Sequence, residues 1–205
     1  PTSGETASAV KNLRVLGVFT HLSSADGDDA TDRRITEAQI KNFMEAELVV
    51  KNEKDVPFYA ENSAALIKYG RFFDGARIGI ALYGVNPVSG DKTPLLPVMT
   101  FRAAVIAINT VKKGDFIGYS RGYRAKKDMR VAIISTGYAD GLPRALSNKG
   151  MIFCNGQFLK IVGKVSMDSV AVDAGDADVK IMDEVVVFGD EITVTDGANR
   201  AGDSP

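Results

Sequence analysis

The sequence predicts an α/β segment followed by a mostly antiparallel β domain. In the first part, short apolar runs alternate with helical patterns, which is typical of a parallel sheet with crossover helices. In the second part, short β-branched runs recur at intervals of roughly ten residues, and the turns between them are rich in Gly, Asp and Asn, which indicates a barrel-like antiparallel sheet. We place the boundary so that the domains comprise residues 1–90 and 91–205.

The composition is that of a globular protein, with 205 residues of which 45% are hydrophobic and 25% charged. A net charge of -1 and the lack of a long basic run argue against nucleic acid as a partner. One cysteine and one histidine exclude an internal disulfide framework and argue against a His/Cys zinc site. Without a signal peptide or a membrane-length apolar run, we expect a cytoplasmic protein.

The first domain is predicted to begin with a loop and a buried strand. Residues 1–12 are small and polar, whereas residues 13–20 form an apolar run that ends at His21. A helical periodicity follows over residues 32–48. Its apolar face is predicted to contain Ile35, Ile40, Phe43, Met44 and Leu48.

Two further strands are predicted in this domain, with a short helix between them. Residues 56–60 form the second strand, and a helix capped by Asn62 or Ser63 then runs to a stop at Gly70. Residues 76–84 form the third strand. Three strands are too few to close a (β/α)8 barrel.

The second domain is predicted to follow a proline-containing linker. Its predicted strands comprise residues 101–108, 130–135, 157–162, 169–173 and 184–188. Residues 193–205 are small and polar and are expected to end without a clear stop.

Three residues of the first domain are candidates for ligand binding. His21 follows a predicted strand, at the edge where α/β folds bind ligands, although a structural histidine is equally open. Ser63 opens a helix, where a hydroxyl and backbone amides suit a phosphate, or serves as an ordinary cap. Arg77 lies within an apolar strand, so its guanidinium needs a buried partner or a ligand.

Two motifs of the second domain are candidates for chemistry. Tyr138 lies between two glycines where a strand ends, and Asp140 and Arg144 supply opposite charges nearby. A tyrosine can exchange protons when nearby cations stabilise its phenolate form, but a glycine-rich loop would give the same pattern. Met167 and Asp168 lie between two short strands and, taken alone, are a weak signal.

Taken together, five motifs resemble those of the alanine racemases, bacterial pyridoxal-phosphate enzymes, and of the related vancomycin-resistance serine racemases. The motifs are VFTHL at residues 18–22, ENSAA at 61–65, ARIGIALYG at 76–84, GYADG at 137–141 and VGKVSMD at 162–168. Their order is that of the family, and the resemblance covers nearly the whole chain.

The resemblance implies a fold and an activity. The fold is the C-terminal part of a TIM (β/α)8 barrel, which holds pyridoxal 5'-phosphate, followed by a β domain. The activity is interconversion of L-alanine and D-alanine for peptidoglycan precursors by two-base exchange of the α-proton. The enzyme is implied to be a homodimer that acts on a small amino acid, with active sites at the interface.

The resemblance also implies site residues. Tyr138 is implied to be the acid/base that serves the partner's cofactor, while the Met167 amide binds the substrate carboxylate and Asp168 orders that loop. The cofactor-binding residues implied by the resemblance are His21 near the ring, Arg77 at the pyridine nitrogen, and Ser63 with the Gly79 and Ile80 amides at the phosphate.

Several features of the family have no match in these 205 residues. They are the Schiff-base lysine, the earlier barrel strands, the substrate-binding arginine motif and the phosphate-binding tyrosine of the closing segment. We therefore expect the chain alone to be inactive, to need an N-terminal segment, and to associate through uncovered strand edges. Two alternatives stay open: a serine racemase tethered to a membrane domain, and a non-catalytic cofactor-binding or dimerisation fragment.

Overall fold

The computed structural model describes residues 14–52 and 55–202. The chain divides into two compact units, Pro1–Leu96 and Pro97–Pro205, which we describe separately. The polar stretch 1–12 and the predicted start of the first strand at Leu13 lie outside the described residues. Within the described ranges, no helix has the length and apolar character needed to cross a membrane.

The first unit contains a parallel pair of strands joined by a long helix. Strand β1 (Val18–Phe19) pairs with β2 (Phe58–Tyr59), and α1 (Ala30–Lys51) is the crossover between them. This confirms the predicted strand–helix–strand order, although both strands are shorter than predicted. A second helix, α2 (Ser63–Tyr69), is capped by Asn62, whose side chain accepts a hydrogen bond from the Ala65 amide at 2.9 Å.

Helix α1 packs on the core along a narrower face than predicted. Thr36, Ile40 and Phe43 are its buried residues, and they follow the helical spacing of four and three residues. Phe43 contacts the rings of Phe58 and Phe73, at centroid distances of 5.1 and 5.0 Å. The predicted face was wrong in part, since three of its members are exposed: Ile35, Met44 and Leu48.

The third predicted strand, over residues 76–84, was wrong. The segment contains a short 3-10 helix, Ile80–Tyr83, and Arg77 lies in the loop before it rather than in a strand. The Ser63 hydroxyl oxygen accepts hydrogen bonds from the Gly79 and Ala81 amides, at 3.1 and 3.3 Å. These amides are therefore not available to a strand ladder, which explains the irregular backbone.

The second unit is a closed barrel of six strands with a separate hairpin. Its strands are β3 (Phe101–Val111), β4 (Phe116–Ile117), β5 (Tyr123–Arg124), β6 (Met129–Ile134), β7 (Met151–Cys154), β8 (Gln157–Ile161), β9 (Val170–Asp173) and β10 (Glu184–Phe188). The barrel order is β10-β3-β6-β9-β8-β7, and every neighbouring pair is antiparallel. The predicted antiparallel, barrel-like domain is confirmed.

The barrel interior is filled by aliphatic side chains from all of its strands. Among its members with no exposed surface are Val105, Ile134, Ile152, Ile161 and Val172. Burying each such side chain contributes about 1.5–3 kcal/mol. The rigid barrel carries the loop that follows β6, which contains Tyr138.

Three elements of the second unit were not predicted. Besides β7 and the β4–β5 hairpin, a helix, α3 (Val194–Ala201), forms where a tail without a clear stop was expected. Thr193 and Asp196 exchange hydrogen bonds between side chains and amides as a capping box. Gly202 then ends the helix in a left-handed conformation.

We expect Cys154 to resist thiol reagents in the folded protein. Its side chain is 1% exposed, and burial, together with the nearby Asp183 charge, raises its pKa. Because the thiolate is the reactive form, both factors slow the reaction. Titration with a chromogenic disulfide at pH 8 should give slow labelling that becomes fast in denaturant. Fast labelling of the native protein would contradict the buried position.

Candidate active site

The first unit brings all five of its predicted site residues to one cavity of about 400 Å³. The cavity is lined by the end of β1, the start of α2 and the loop before the 3-10 helix. The predicted residues are His21, Ser63, Arg77, Gly79 and Ile80. Although the third predicted strand does not form, the five predicted residues still line the same cavity.

Arg77 has a guanidinium that is held by its Nη2 group and by an aromatic ring. Its Nη2 donates to the Thr20 carbonyl at 2.7 Å and lies 3.1 Å from His21 Nδ1. The guanidinium also covers the Phe19 ring, 4.9 Å from its centroid. Its Nε is buried and has no hydrogen-bond partner within the described residues. A buried unpaired donor costs about 1–3 kcal/mol, so a ligand acceptor that reached it would relieve this cost.

His21 is oriented by the same contact. A guanidinium can only donate, so His21 Nδ1 accepts and its ring proton lies on Nε2. The ring is then held against the arginine at the cavity wall. This arrangement suits a planar ligand with an acceptor atom near Arg77.

Ser63 provides donors at a second point of the cavity. Since its oxygen already accepts from the Gly79 and Ala81 amides, its hydroxyl proton is left to donate to a ligand. In the described part of the chain the Ile80 amide donates no hydrogen bond. Gly79 is exposed, with open space where a side chain would be. Hydroxyl and amide donors beside open space fit phosphate oxygens.

The two predicted motifs of the second unit are joined by hydrogen bonds. The Tyr138 amide donates to the Ser166 carbonyl at 2.9 Å, and the Ala139 amide donates to the Met167 carbonyl at 3.0 Å. Asp140 accepts from the Gly137 amide at 2.9 Å, which closes the short 3-10 helix Tyr138–Asp140. The structure thus places the predicted acid/base beside the predicted carboxylate-binding loop.

The side chains of this loop pair are open to solvent. Tyr138 is 45% exposed, and the Arg144 guanidinium lies 5.5 Å from its ring centroid. Met167 and Asp168 are also exposed. Within the described residues, the Met167 amide donates no hydrogen bond, so it is free to bind a carboxylate.

A second exposed tyrosine, Tyr119, was missed by the sequence reasoning. It lies in the turn of the β4–β5 hairpin and is 72% exposed. The next two residues, Ser120 and Arg121, have φ of 55° and 56°, a left-handed conformation that is strained for non-glycine residues. The sequence Gly118-Tyr119 repeats the glycine–tyrosine pattern that singled out Tyr138, and could have revealed it.

The Tyr119 turn and the Tyr138 loop contact the same segment. Side chains added at Gly118 or Gly122 would meet the Lys164 amide nitrogen at 3.0 or 3.1 Å, so the hairpin packs directly on that backbone. Asn148 connects these parts, since it donates to the Gly122 carbonyl at 2.9 Å and accepts from the Gly163 amide at 2.7 Å. The segment from Gly163 to Met167 therefore lies between the two tyrosine-bearing loops.

Comparison with known families matches both units. The family description "Alanine racemase, C-terminal domain" fits residues 98–205, and "Alanine racemase, N-terminal domain" fits residues 3–87. The alanine racemase of Helicobacter pylori strain Shi470 is 36% identical in an alignment of 204 residues that covers 94% of this chain and 53% of that protein. The alanine racemase of Aquifex aeolicus is 34% identical over 196 residues, or 96% and 56%.

The chain also superposes on solved structures of alanine racemases. Alanine racemase from Bartonella henselae with covalently bound pyridoxal phosphate superposes with a TM-score of 0.78 at 31% identity, covering 92% of this chain and 52% of that one. Alanine racemase from D-cycloserine-producing Streptomyces lavendulae gives a TM-score of 0.87 at 29% identity, covering 98% and 55%. The chain thus spans about half the length of the relatives that it matches.

Proposed function

The chain belongs to the alanine racemase family, and we propose that it forms part of a pyridoxal-phosphate-dependent enzyme that interconverts L-alanine and D-alanine. The observation that carries the proposal is the cavity of the first unit, where the predicted site residues converge with free donors at two points. The product D-alanine would serve peptidoglycan precursors.

The cavity residues fit pyridoxal 5'-phosphate. The Ser63 hydroxyl, with the Gly79 and Ile80 backbone, would hold the phosphate, and the free Nε of Arg77 would lie toward the pyridine nitrogen. When bound, the cofactor delocalises the negative charge left when the α-proton is removed. A permanent cation at Arg77 would keep that ring nitrogen unprotonated, which would favour simple proton exchange over side reactions. His21, fixed by Arg77, would pack near the ring.

The second unit supplies the proton-transfer group and the carboxylate site. Racemisation removes a proton from one face of the α-carbon and returns one to the other, so it requires two acid/base groups. Tyr138 is the group that the resemblance implies, and Tyr119 is a rival that the structure adds. The Met167 amide would bind the substrate carboxylate, and Asp168 would order its loop.

Tyr119 has features that favour it as the proton-transfer residue. It is more exposed than Tyr138, whose ring is contacted by Arg144 of its own unit. The turn that carries Tyr119 keeps two strained residues, and such strain persists mainly where function requires a particular geometry. Arg121 adds a cation to the same turn.

We also propose the architecture and assembly that the family resemblance implies. The first unit would be the C-terminal part of a TIM barrel, completed by an N-terminal segment that carries the Schiff-base lysine as second base. Two subunits would pair so that the tyrosine of one serves the cofactor of the other. Because each tyrosine would act on a substrate held by the other subunit, it would have to lie at the surface of its own unit, as Tyr119 and Tyr138 do.

A chimaera tests the proposed activity. In the chimaera, the 205-residue sequence replaces the matching segment of the H. pylori racemase. Formation of D-alanine from L-alanine is assayed, with L-serine as the comparison substrate. We expect D-alanine formation that requires pyridoxal 5'-phosphate. The H. pylori protein without the segment is the control. A folded chimaera that binds the cofactor but racemises neither amino acid would refute the proposal.

Ser63→Ala in the chimaera should weaken cofactor binding by at least about tenfold, because a hydrogen bond to a charged group contributes about 1.5–3 kcal/mol. The measurement is a fluorescence titration with pyridoxal 5'-phosphate. Ser89→Ala, at an exposed serine of the same unit, is the matched control and should leave the Kd unchanged. Equal Kd values for Ser63→Ala and the unchanged chimaera would remove Ser63 from the phosphate site.

A further inference from the structure

Glu61 is the one charged side chain that is buried within residues 14–52 and 55–202, with 1% of its surface exposed. It lies between β2 and α2, two residues before Ser63. Nothing in the proposed chemistry uses it. A buried carboxylate is costly unless its oxygens are paired, so its partners indicate what it does.

The partners of the Glu61 carboxylate are backbone amides. Oε1 accepts from the Phe72 amide and, at 3.0 Å, from the Phe73 amide, and Oε2 lies 3.4 Å from the Ala60 amide. The salt bridges of the described residues do not include it. Hydrogen bonds to an ionised acceptor are about twice as strong as neutral ones, so this contact fastens two successive residues firmly.

The fastened residues begin the loop that carries Arg77. The Arg77 amide donates to the Glu61 carbonyl at 2.7 Å, so one residue holds the loop at both ends. Asp74 fixes the middle, since its amide donates to the Phe58 carbonyl at 3.1 Å and its carboxylate accepts from the Phe58 amide at 2.8 Å. Residues 72–77 contain no helix, so these contacts set the backbone position from which the Arg77 side chain extends.

Ser63, in contrast, is held independently of the Glu61 carboxylate. Asn62 caps α2 and also donates to the Leu22 carbonyl at 3.1 Å, which fixes the start of the helix. Loss of the Glu61 contacts should therefore displace Arg77 and leave the phosphate end of the cavity in place.

We propose that Glu61 is a positioning residue whose buried carboxylate clamps the 72–77 loop and thereby orients Arg77 toward the cofactor ring. The inference rests on the proposed function, because the cofactor is what Arg77 would meet. It assigns to a residue outside the cavity lining a specific effect on one end of the bound molecule.

The test is a double-mutant cycle on cofactor binding by the chimaera. Glu61→Gln keeps the size of the side chain but removes its charge and turns an NH2 group toward the Ala60 amide. Pyridoxal 5'-phosphate is titrated into Glu61→Gln, Arg77→Lys and the double variant, with Kd and the absorbance spectrum of the bound cofactor as readouts. Glu45→Gln, at an exposed carboxylate of α1, is the matched control.

We expect Glu61→Gln to raise the Kd by about tenfold or more and to change the absorbance maximum in the same direction as Arg77→Lys, because small displacements of binding groups have large effects. The double variant should bind no more weakly than Arg77→Lys, since residues that act through one another are not additive. Additive effects, or a Glu61→Gln variant with unchanged Kd and spectrum, would overturn the proposal.

Amide hydrogen exchange separates positioning from general destabilisation. Glu61→Gln should lose protection at Phe72 and Phe73, whose amides donate to the carboxylate, while Ile40 and Phe43 of α1 stay protected. Loss of protection throughout the unit would show a merely structural role. If Glu61→Gln does not fold, Glu61→Asp, which shortens the same carboxylate, replaces it in both measurements.

The exchange measurement also distinguishes failure of the inference from failure of the proposed function. If the unchanged chimaera does not bind pyridoxal 5'-phosphate, the proposed function is wrong, and the clamp is judged by exchange alone. Phe72 and Phe73 amides that remain as protected in Glu61→Gln as in the unchanged chimaera would then refute the clamp.

Discussion

Replacing Tyr119 by phenylalanine is expected to lower kcat of the chimaera by about 10²- to 10⁴-fold, the usual contribution of a positioned acid/base group. The substitution removes one oxygen from a side chain that is 72% exposed, so the hairpin should keep its fold. Cofactor binding should be unchanged, because the proposed cofactor contacts lie in the first unit. The measurement is kcat in both directions, from L-alanine and from D-alanine.

The same replacement at Tyr138 is the direct comparison. We expect a smaller loss there, because the Tyr138 ring is held against Arg144 and is less exposed. Tyr123→Phe, in β5 of the same hairpin as Tyr119, is the matched control and should retain activity. A loss at Tyr138→Phe that exceeds the loss at Tyr119→Phe would return the role to Tyr138, as the family resemblance implies.

The fold could be predicted from the sequence where local pattern and tertiary structure agree. The barrel strands β6, β8, β9 and β10 are short apolar runs that lie between turns, so their positions were predicted to within one residue. The segment 76–84 is also apolar, but two of its amides donate to the Ser63 hydroxyl oxygen and not to a neighbouring strand. A hydrogen bond between residues sixteen positions apart, such as that from Gly79 to Ser63, leaves no periodic signal in the sequence. Residues 116–124 form short strands that are too brief to show alternation.

The candidate site, like the fold, could be predicted from the sequence only in part. Residue type and motif order were sufficient to select His21, Ser63 and Arg77, which the structure brings to one cavity. The role proposed for Glu61 could not be predicted, because its partners are backbone amides, which every residue except proline possesses. Tyr119 was predictable in principle, but the strain beside it is a property of backbone dihedrals that no residue type reveals.

Gly137→Ala is expected to lower kcat/KM of the chimaera by about 100-fold, although it adds only a methyl group. A Cβ at this position would lie 2.1 Å from the Met167 carbonyl oxygen and 2.4 Å from the Ser166 carbonyl oxygen. The backbone there is extended, with φ of -146°, so any residue could adopt it and the effect is purely steric. Because the obstacles are backbone atoms, the Tyr138 and Met167 loops must separate.

Two companion variants make the Gly137→Ala result specific. Gly197→Ala, in helix α3, adds the same methyl group where nothing lies within 4 Å, and should leave activity unchanged. Truncating the neighbouring side chain in Gly137→Ala/Met167→Ala should not restore activity, since the clash is with carbonyl oxygens. The barrel core should remain folded, with Tm lowered by the few degrees that overpacking of about 1–3 kcal/mol produces. Full activity of Gly137→Ala would mean that the spacing between these two loops does not control catalysis.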